Sequence, residues 1–154
     1  MVQVFINDFE RFCGMLINQV DLCSDEVWTA TDGKYPYWWH IMHSIAFTEI
    51  YSADADATTK IPYSMPEIMY SKEPENVLSK EGLIAIILDI RETARAYMKG
   101  MTDERFTEVN HKLSKLYGKE TTQLGALIAI LRHMCYHIGC CDTILRMHGI
   151  KGVY

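Results

Sequence analysis

Four stretches of this 154-residue chain place apolar side chains three or four positions apart, which is the spacing of one face of an α-helix. They cover approximately residues 4–27, 36–50, 79–101 and 122–148. No stretch alternates convincingly between apolar and polar residues, as a half-buried strand would. Helices of this kind bury their apolar faces by packing against one another. The pattern therefore predicts an all-α protein, an up-down four-helix bundle.

Turn and capping residues mark the ends of the predicted helices. Asp32 and Gly33 indicate a turn after the first helix, and Pro36 suits the first turn of the second. Ser79 is a good N-cap for the third helix. Gly149 follows the fourth helix as a plausible C′ residue.

A long connection separates the second and third helices. It covers approximately residues 53–78, contains Pro62, Pro66 and Pro74, and lacks a sustained period. Connections between bundle helices usually have about two to eight residues, so this one has to cross the bundle or cover one of its ends. With no internal repeat or linker, residues 1–154 are expected to form a single domain.

Charge and cysteine content restrict the class of function. Twenty acidic and fifteen basic residues give a net charge of −5, and no cluster of Lys and Arg offers a surface for nucleic acid. Five cysteines, with Cys140 and Cys141 adjacent, indicate reduced thiols rather than a disulfide framework. The longest apolar runs, 83–88 and 126–131, are far shorter than the roughly 20 residues that span a bilayer. We therefore expect a soluble, cytoplasmic protein without a nucleic-acid or membrane partner.

A pair of histidines on the fourth predicted helix is the first indication of chemistry. His133 and His137 are four residues apart and therefore share one helical face. That face is apolar and adjoins the leucine stripe, so the fourth helix is expected to be the most buried. His43 lies within the core stripe of the second helix. Three neutral imidazoles on two facing helices could hold a divalent metal and leave a fourth position for water or substrate. Alternatively, they are core histidines that are merely hydrogen-bonded.

Neighbouring residues leave several alternatives open. His40 could replace His43 as a ligand. Cys140, one turn beyond His137, is a fourth ligand, a thiol near the open position, or a small buried hydrophobe. The residue after His133 is Met134 rather than glutamate, which excludes a zincin metalloprotease because the general base is missing.

The other titratable residues carry weaker signals. His111 lies in a polar connection and His148 at a helix end, so both are expected to be structural or incidental. Glu49 and Asp142 could orient the N–H group of a ligand histidine, or they are solvated surface charges.

Two segments resemble those of a known family. The second helix contains WWHIMHSIAFTE at 38–49, and after the proline-containing connection the fourth contains LRHMCYHIG at 131–139. Together they are similar to the DinB/YfiT-like metal-binding four-helix bundles. The resemblance implies that His43, His133 and His137 bind the metal. The family commonly continues His-x-Gly-Gln after the second histidine of the pair, whereas this chain has Cys140 in place of the glutamine.

The resemblance also implies a class of activity. Characterised relatives include metal-dependent transferases and isomerases that use low-molecular-weight thiols, and relatives often form homodimers. We therefore expect a divalent ion, Zn or Ni, that activates a thiol or water to attack a small electrophilic substrate. The alternatives are a non-catalytic metal- or ligand-binding bundle, acting as a scavenger or sensor, and a plain interaction bundle.

Overall fold

The computed structural model describes residues 2–32, 34–52 and 59–154. Within these ranges the chain forms four long and four short helices, with a single isolated β-bridge between Val109 and Thr122. The helices are α1 (Val2–Leu22), α2 (Asp25–Trp28), α3 (Tyr37–Ser52), α4 (Met65–Ile68), α5 (Lys80–Lys99), α6 (Asp103–Thr107), α7 (His111–Tyr117) and α8 (Gln123–Met147). The four long helices α1, α3, α5 and α8 pack together, which confirms the predicted bundle.

The capping residues explain where most of the long helices begin and end. The Ser79 hydroxyl accepts a hydrogen bond from the Gly82 N–H and starts α5, as predicted. Pro36 directly precedes α3. Gly149 has a φ of 73° after α8, the left-handed conformation that glycine adopts without steric cost. The predicted turn at Asp32 and Gly33 is only partly observed, because Gly33 lies outside the described residues.

The first predicted helix is shorter than expected. It was predicted to reach residue 27, but α1 ends at Leu22 and a separate turn, α2, begins after Ser24. The Ser24 hydroxyl accepts a hydrogen bond from the Val27 N–H, so this side chain starts a new helix instead of continuing the old one. The apolar period continues across the break because Cys23 and Val27 are both buried.

Contacts between the long helices define their directions. The ammonium group of Lys80, at the start of α5, donates to the Cys23 carbonyl just beyond the end of α1. Arg91, later in α5, forms an ion pair with Glu10, which lies earlier in α1. The two helices α1 and α5 are therefore antiparallel. The Tyr37 hydroxyl, at the start of α3, donates to the carbonyl of Gln19 near the end of α1.

Helix α8 runs antiparallel to α3. His40 contacts His137 near the start of α3, whereas Tyr51 near its end contacts Tyr117, which precedes α8. The four long helices therefore run up, down, down and up in chain order, whereas the predicted up-down arrangement would alternate. Since α3 and α5 are parallel neighbours, the connection between them has to return along the length of the bundle.

This connection covers the outer side of α3. The indole of Trp39 donates to the Glu67 carbonyl, and the Trp38 ring packs on Tyr63 with centroids 5.8 Å apart. As a result, every residue of α3 except Ile50 is buried. The prediction that the fourth helix would be the most buried is therefore wrong, because periodicity does not show that a loop covers the second.

Helix α8 is long and apolar enough to cross a membrane by length and composition alone. It packs against both α1 and α3, and Leu127, Met134 and Ile138 along it are fully buried. Core helices of soluble proteins commonly meet the same criteria, so this one helix is weak evidence for a membrane span.

Complete burial of a side chain on α3 predicts a large effect of truncating it. Ile41 is fully buried, so Ile41→Ala should lower the free energy of unfolding by about 2–5 kcal/mol. Ile128→Ala on α8 is the matched control, since Ile128 is 49% exposed and its truncation should change stability by less than about 0.5 kcal/mol. Urea unfolding measures both values, and equal small effects would contradict the burial of Ile41.

Candidate metal centre

Three histidines meet where α3 packs against α8. His43 on α3 faces His133 and His137, which lie one turn apart on α8. The ring centroids are 5.0 Å apart for His43 and His133, 4.9 Å for His43 and His137, and 4.6 Å for His133 and His137. One potential ligand atom from each residue lies within 4.8 Å of the other two. The structure thus brings together the three residues selected from the sequence.

Hydrogen bonds leave a ring nitrogen of His43 available. Its Nδ1 lies 2.6 Å from the carbonyl oxygen of Ile68. A carbonyl oxygen only accepts, so Nδ1 carries the hydrogen and Nε2 has a free lone pair. Ile68 ends the short helix α4 in the long connection, so this connection sets the tautomer of His43.

His137 and His133 complete the donor set. His137 Nδ1 lies 3.1 Å from His40 Nδ1, which leaves His137 Nε2 free of that contact. His133 Nε2 is buried without a hydrogen-bond partner. An unpartnered buried nitrogen is destabilising unless something binds it, and imidazole suits Zn, Ni, Cu and Fe. The three residues therefore fit a divalent metal ion.

Burial keeps these imidazoles in the form that binds metals. Desolvation lowers the pKa values of His40, His43 and His133 to about 4. For His137, desolvation and then the neighbouring histidines lower the pKa to about 2. All four rings are consequently neutral at pH 7, as metal coordination requires.

Aromatic side chains surround the cluster. The Trp39 ring stacks on His43, with centroids 4.3 Å apart and an angle of 27° between the planes. The Tyr35 ring stacks in turn on Trp39, with centroids 4.2 Å apart. Phe47 lies 4.7 Å from His43 and 4.9 Å from His133. These rings restrict the rotation of the histidines and limit the access of water.

The alternative ligands considered from the sequence lie outside the group of three. His40 is buried and contacts His137, so it is placed to orient that ligand. Cys140 is half-buried, and its thiol interacts with the hydroxyl group of Tyr136 instead of joining the group.

Both carboxylates suggested as partners of the ligands have other roles. Glu49 accepts hydrogen bonds from the Thr59 hydroxyl and the Lys60 N–H and thus ties the long connection to α3. Asp142 accepts from the Val153 N–H and Arg146 and thus holds the C-terminal segment. Each is buried by these contacts, so the expectation of a solvated charge is wrong as well.

The two remaining histidines lie away from the cluster. His148 caps the C-terminal end of α8 and pairs with Asp32 at 2.6 Å. His111, assigned from the sequence to a polar connection, is the exposed first residue of α7. The sequence did not predict the hydrogen bond between His43 and the backbone carbonyl of Ile68. No sequence pattern indicates that a carbonyl group will face a histidine 25 positions away.

The lowered pKa values predict that the metal-free protein loses stability in mild acid. Each cluster histidine has a folded pKa below its unfolded value of about 6.5, so the unfolded state takes up protons first as the pH falls. Their stabilising contribution is complete above about pH 6.5 and decreases towards pH 4. Urea unfolding of chelator-treated protein at several pH values should show this decrease.

Substituting a single histidine tests whether the cluster, and not other titratable groups, causes the loss of stability in acid. His133→Asn should give a shallower dependence of unfolding free energy on pH between 6.5 and 4, because one of these groups is removed. His111→Asn, at an exposed position, should retain the wild-type slope. Parallel slopes for all three proteins would show that the cluster does not cause the loss.

Comparison with known proteins supports the fold. No family model matches the chain, and no curated protein matches it. Among solved structures, the DinB-like protein YjoA from Bacillus subtilis matches with a TM-score of 0.65 and 12% identity, covering 94% of this chain and 92% of that one. A DinB-like protein from Bacillus cereus ATCC 10987 matches with a TM-score of 0.66 and 15% identity, covering 97% and 95%. This chain therefore has the fold of the DinB-like proteins, as its sequence resemblance implied.

Proposed function

We propose that this protein is a cytoplasmic metal-dependent enzyme that activates a thiol or water for attack on a small electrophilic substrate. One observation carries the proposal: three neutral imidazoles, two buried and that of His133 half-buried, converge within 4.8 Å, and the buried His133 Nε2 atom among them has no partner. The free state of all five cysteines supports a reducing compartment.

The three histidines would hold a divalent ion, Zn or Ni, through one nitrogen each. Such an ion lowers the pKa of a coordinated water or thiol towards neutrality and so supplies a nucleophile. Because imidazole is neutral, the three ligands would leave the full charge of the ion available. Three protein ligands with an open position are typical of catalytic sites, whereas four are typical of structural ones.

The surrounding residues would orient the ligands. The Ile68 carbonyl holds the Nδ1 hydrogen of His43, and His40 Nδ1 can accept the Nδ1 hydrogen of His137. Partners of this kind determine which nitrogen faces the metal. Trp39 and Phe47 keep water from the sides of the site, and low local polarity strengthens electrostatic interactions there.

A non-catalytic metal-binding bundle, a scavenger or sensor, is the alternative. The same three histidines would serve it, so metal binding does not distinguish the two functions. The enzyme is favoured because the cluster contains three potential ligands and Cys140 is not part of it. A filled fourth position would leave no room for substrate.

Metal content tests the site. Protein purified without added metal, or reloaded with Zn²⁺ or Ni²⁺ after chelation, should contain about one ion per chain by elemental analysis. His137→Gln should lose most of this metal, because it removes one of three ligands. His111→Gln changes an exposed histidine and should retain it. Full metal content in the His137 variant would show that the proposed ligand set is wrong.

The role of His40 predicts a difference between two substitutions. His40→Leu removes the acceptor beside His137 and should weaken Co²⁺ or Zn²⁺ binding by about 10- to 100-fold. His40→Asn places an amide oxygen near the former Nδ1 and should restore much of the affinity. Titration of Co²⁺ absorption bands measures both. Equal losses would indicate that His40 only fills space.

Turnover separates the enzyme from the scavenger or sensor. The metal-loaded protein would be mixed with a low-molecular-weight thiol and an epoxide, and separately with a small activated ester. A rate that needs the metal and is lost in His137→Gln supports the proposal. Tight metal binding with no such rate favours the non-catalytic alternative.

A further inference from the structure

Tyr70 has a backbone conformation that bulky residues rarely adopt. Its φ is 53°, in the left-handed region, and within the part of the chain that the structure describes it is the only non-glycine residue with a positive φ. In this region the Cβ atom of an L-residue crowds the backbone, whereas glycine has no Cβ and avoids the cost. A tyrosine in this conformation therefore indicates that its side chain does something that glycine could not.

The backbone of Tyr70 ends the short helix α4. Its N–H donates to the Glu67 carbonyl at 3.1 Å, and the Ser71 N–H donates to the Pro66 carbonyl at 2.9 Å. These two bonds form a Schellman motif, in which Tyr70 occupies the C′ position that is usually glycine. The motif requires only the left-handed backbone. The ring of Tyr70 is thus not needed to end the helix.

The Tyr70 ring lies against the aromatic side chains beside the histidine cluster. Its centroid is 5.4 Å from that of Trp39 and 5.1 Å from that of Tyr35, and its plane is inclined to theirs by 72° and 83°. Aromatic pairs favour such edge-to-face contacts. The Trp39 ring stacks in turn on His43. One indole therefore connects Tyr70 to a potential metal ligand.

The same short segment contacts Trp39 and His43 through its backbone. The Glu67 carbonyl accepts a hydrogen bond from the Trp39 indole at 3.3 Å, and the Ile68 carbonyl lies 2.6 Å from His43 Nδ1. Stacking on His43 fixes the tilt of the indole but still permits it to slide parallel to the imidazole. The steeply inclined Tyr70 ring opposes this slide, and a fixed indole limits the positions available to the His43 ring.

We propose that Tyr70 is a positioning residue of the candidate metal centre: its ring holds Trp39 against His43, so that His43 Nε2 stays available to a metal ion. A ligand that is already oriented loses less conformational freedom on binding, which increases affinity. The contacts of the ring offset the unfavourable backbone conformation of Tyr70. The inference rests on the proposed metal-dependent function, although the orientation of His43 itself can be measured without metal.

Long-range proton–nitrogen NMR of the metal-free protein reports which ring nitrogen of His43 carries the hydrogen. The wild type should show a protonated Nδ1 and an unprotonated Nε2. Tyr70→Gly suits the left-handed backbone but removes the ring. In this variant the two His43 nitrogen signals should move towards a common chemical shift, because the ring exchanges between tautomers.

Co²⁺ titration measures the consequence for metal binding. Tyr70→Gly should weaken Co²⁺ binding by about tenfold and alter the absorption spectrum of the bound ion, because a ligand is less well oriented. Tyr70→Phe keeps the ring and should retain the wild-type affinity, spectrum and His43 signals. Tyr70→Asn, which also tolerates the left-handed backbone, should behave like Tyr70→Gly and replaces it if circular dichroism shows that the glycine variant is unfolded.

A second tyrosine of the same connection provides the matched control. Tyr63 packs on the neighbouring Trp38, so Tyr63→Gly should leave the His43 signals and the Co²⁺ affinity unchanged. The inference is overturned if Tyr70→Gly behaves like the wild type, or if Tyr63→Gly or Tyr70→Phe has the same effect as Tyr70→Gly. If the wild type binds no Co²⁺ but its His43 signals respond to Tyr70→Gly as expected, the proposed function fails and the positioning of His43 by Tyr70 stands.

Discussion

The interface between α3 and α8 is the constraint on which the rest of the structure depends, because it has to accommodate four imidazole rings, three of them buried and that of His133 half-buried. A buried imidazole without partners is destabilising, so each ring nitrogen needs a hydrogen-bond partner or a ligand. Ile68 supplies a partner for His43, and His40 and His137 pair with each other. His133 Nε2 is left over. This unpartnered nitrogen, beside the free Nε2 atoms of His43 and His137, is the strongest physical reason to expect a bound metal.

The direction of the helices explains how the chain builds that interface. With α3 and α5 parallel, the connection between them must travel the length of the bundle, and it does so over the outer face of α3. The same segment therefore encloses α3 and holds His43 through Ile68. Glu49 secures the described start of this segment by accepting hydrogen bonds from Thr59 and Lys60.

Much of the site could be predicted because it follows from helical spacing. His133 and His137 share a face at any α-helical geometry, and His43 lies on a stripe that has to face the core. The identities of their partners could not be predicted in this way. Glu49 and Asp142 looked like candidates near the ligands, but the chain folds Thr59, Lys60 and Val153 back onto them. Hydrogen bonds to backbone groups far away in the sequence leave no periodic signal.

The sequence by itself determined the four long helices, most of their caps and the three histidines that converge, since propensity, capping and periodicity act over a few neighbouring residues. Only the tertiary structure decided the break at Ser24, the parallel arrangement of α3 and α5 and the tautomer of His43. These features arise where distant segments bury each other's surfaces. Such burial depends on which elements come into contact, and short-range patterns do not specify that.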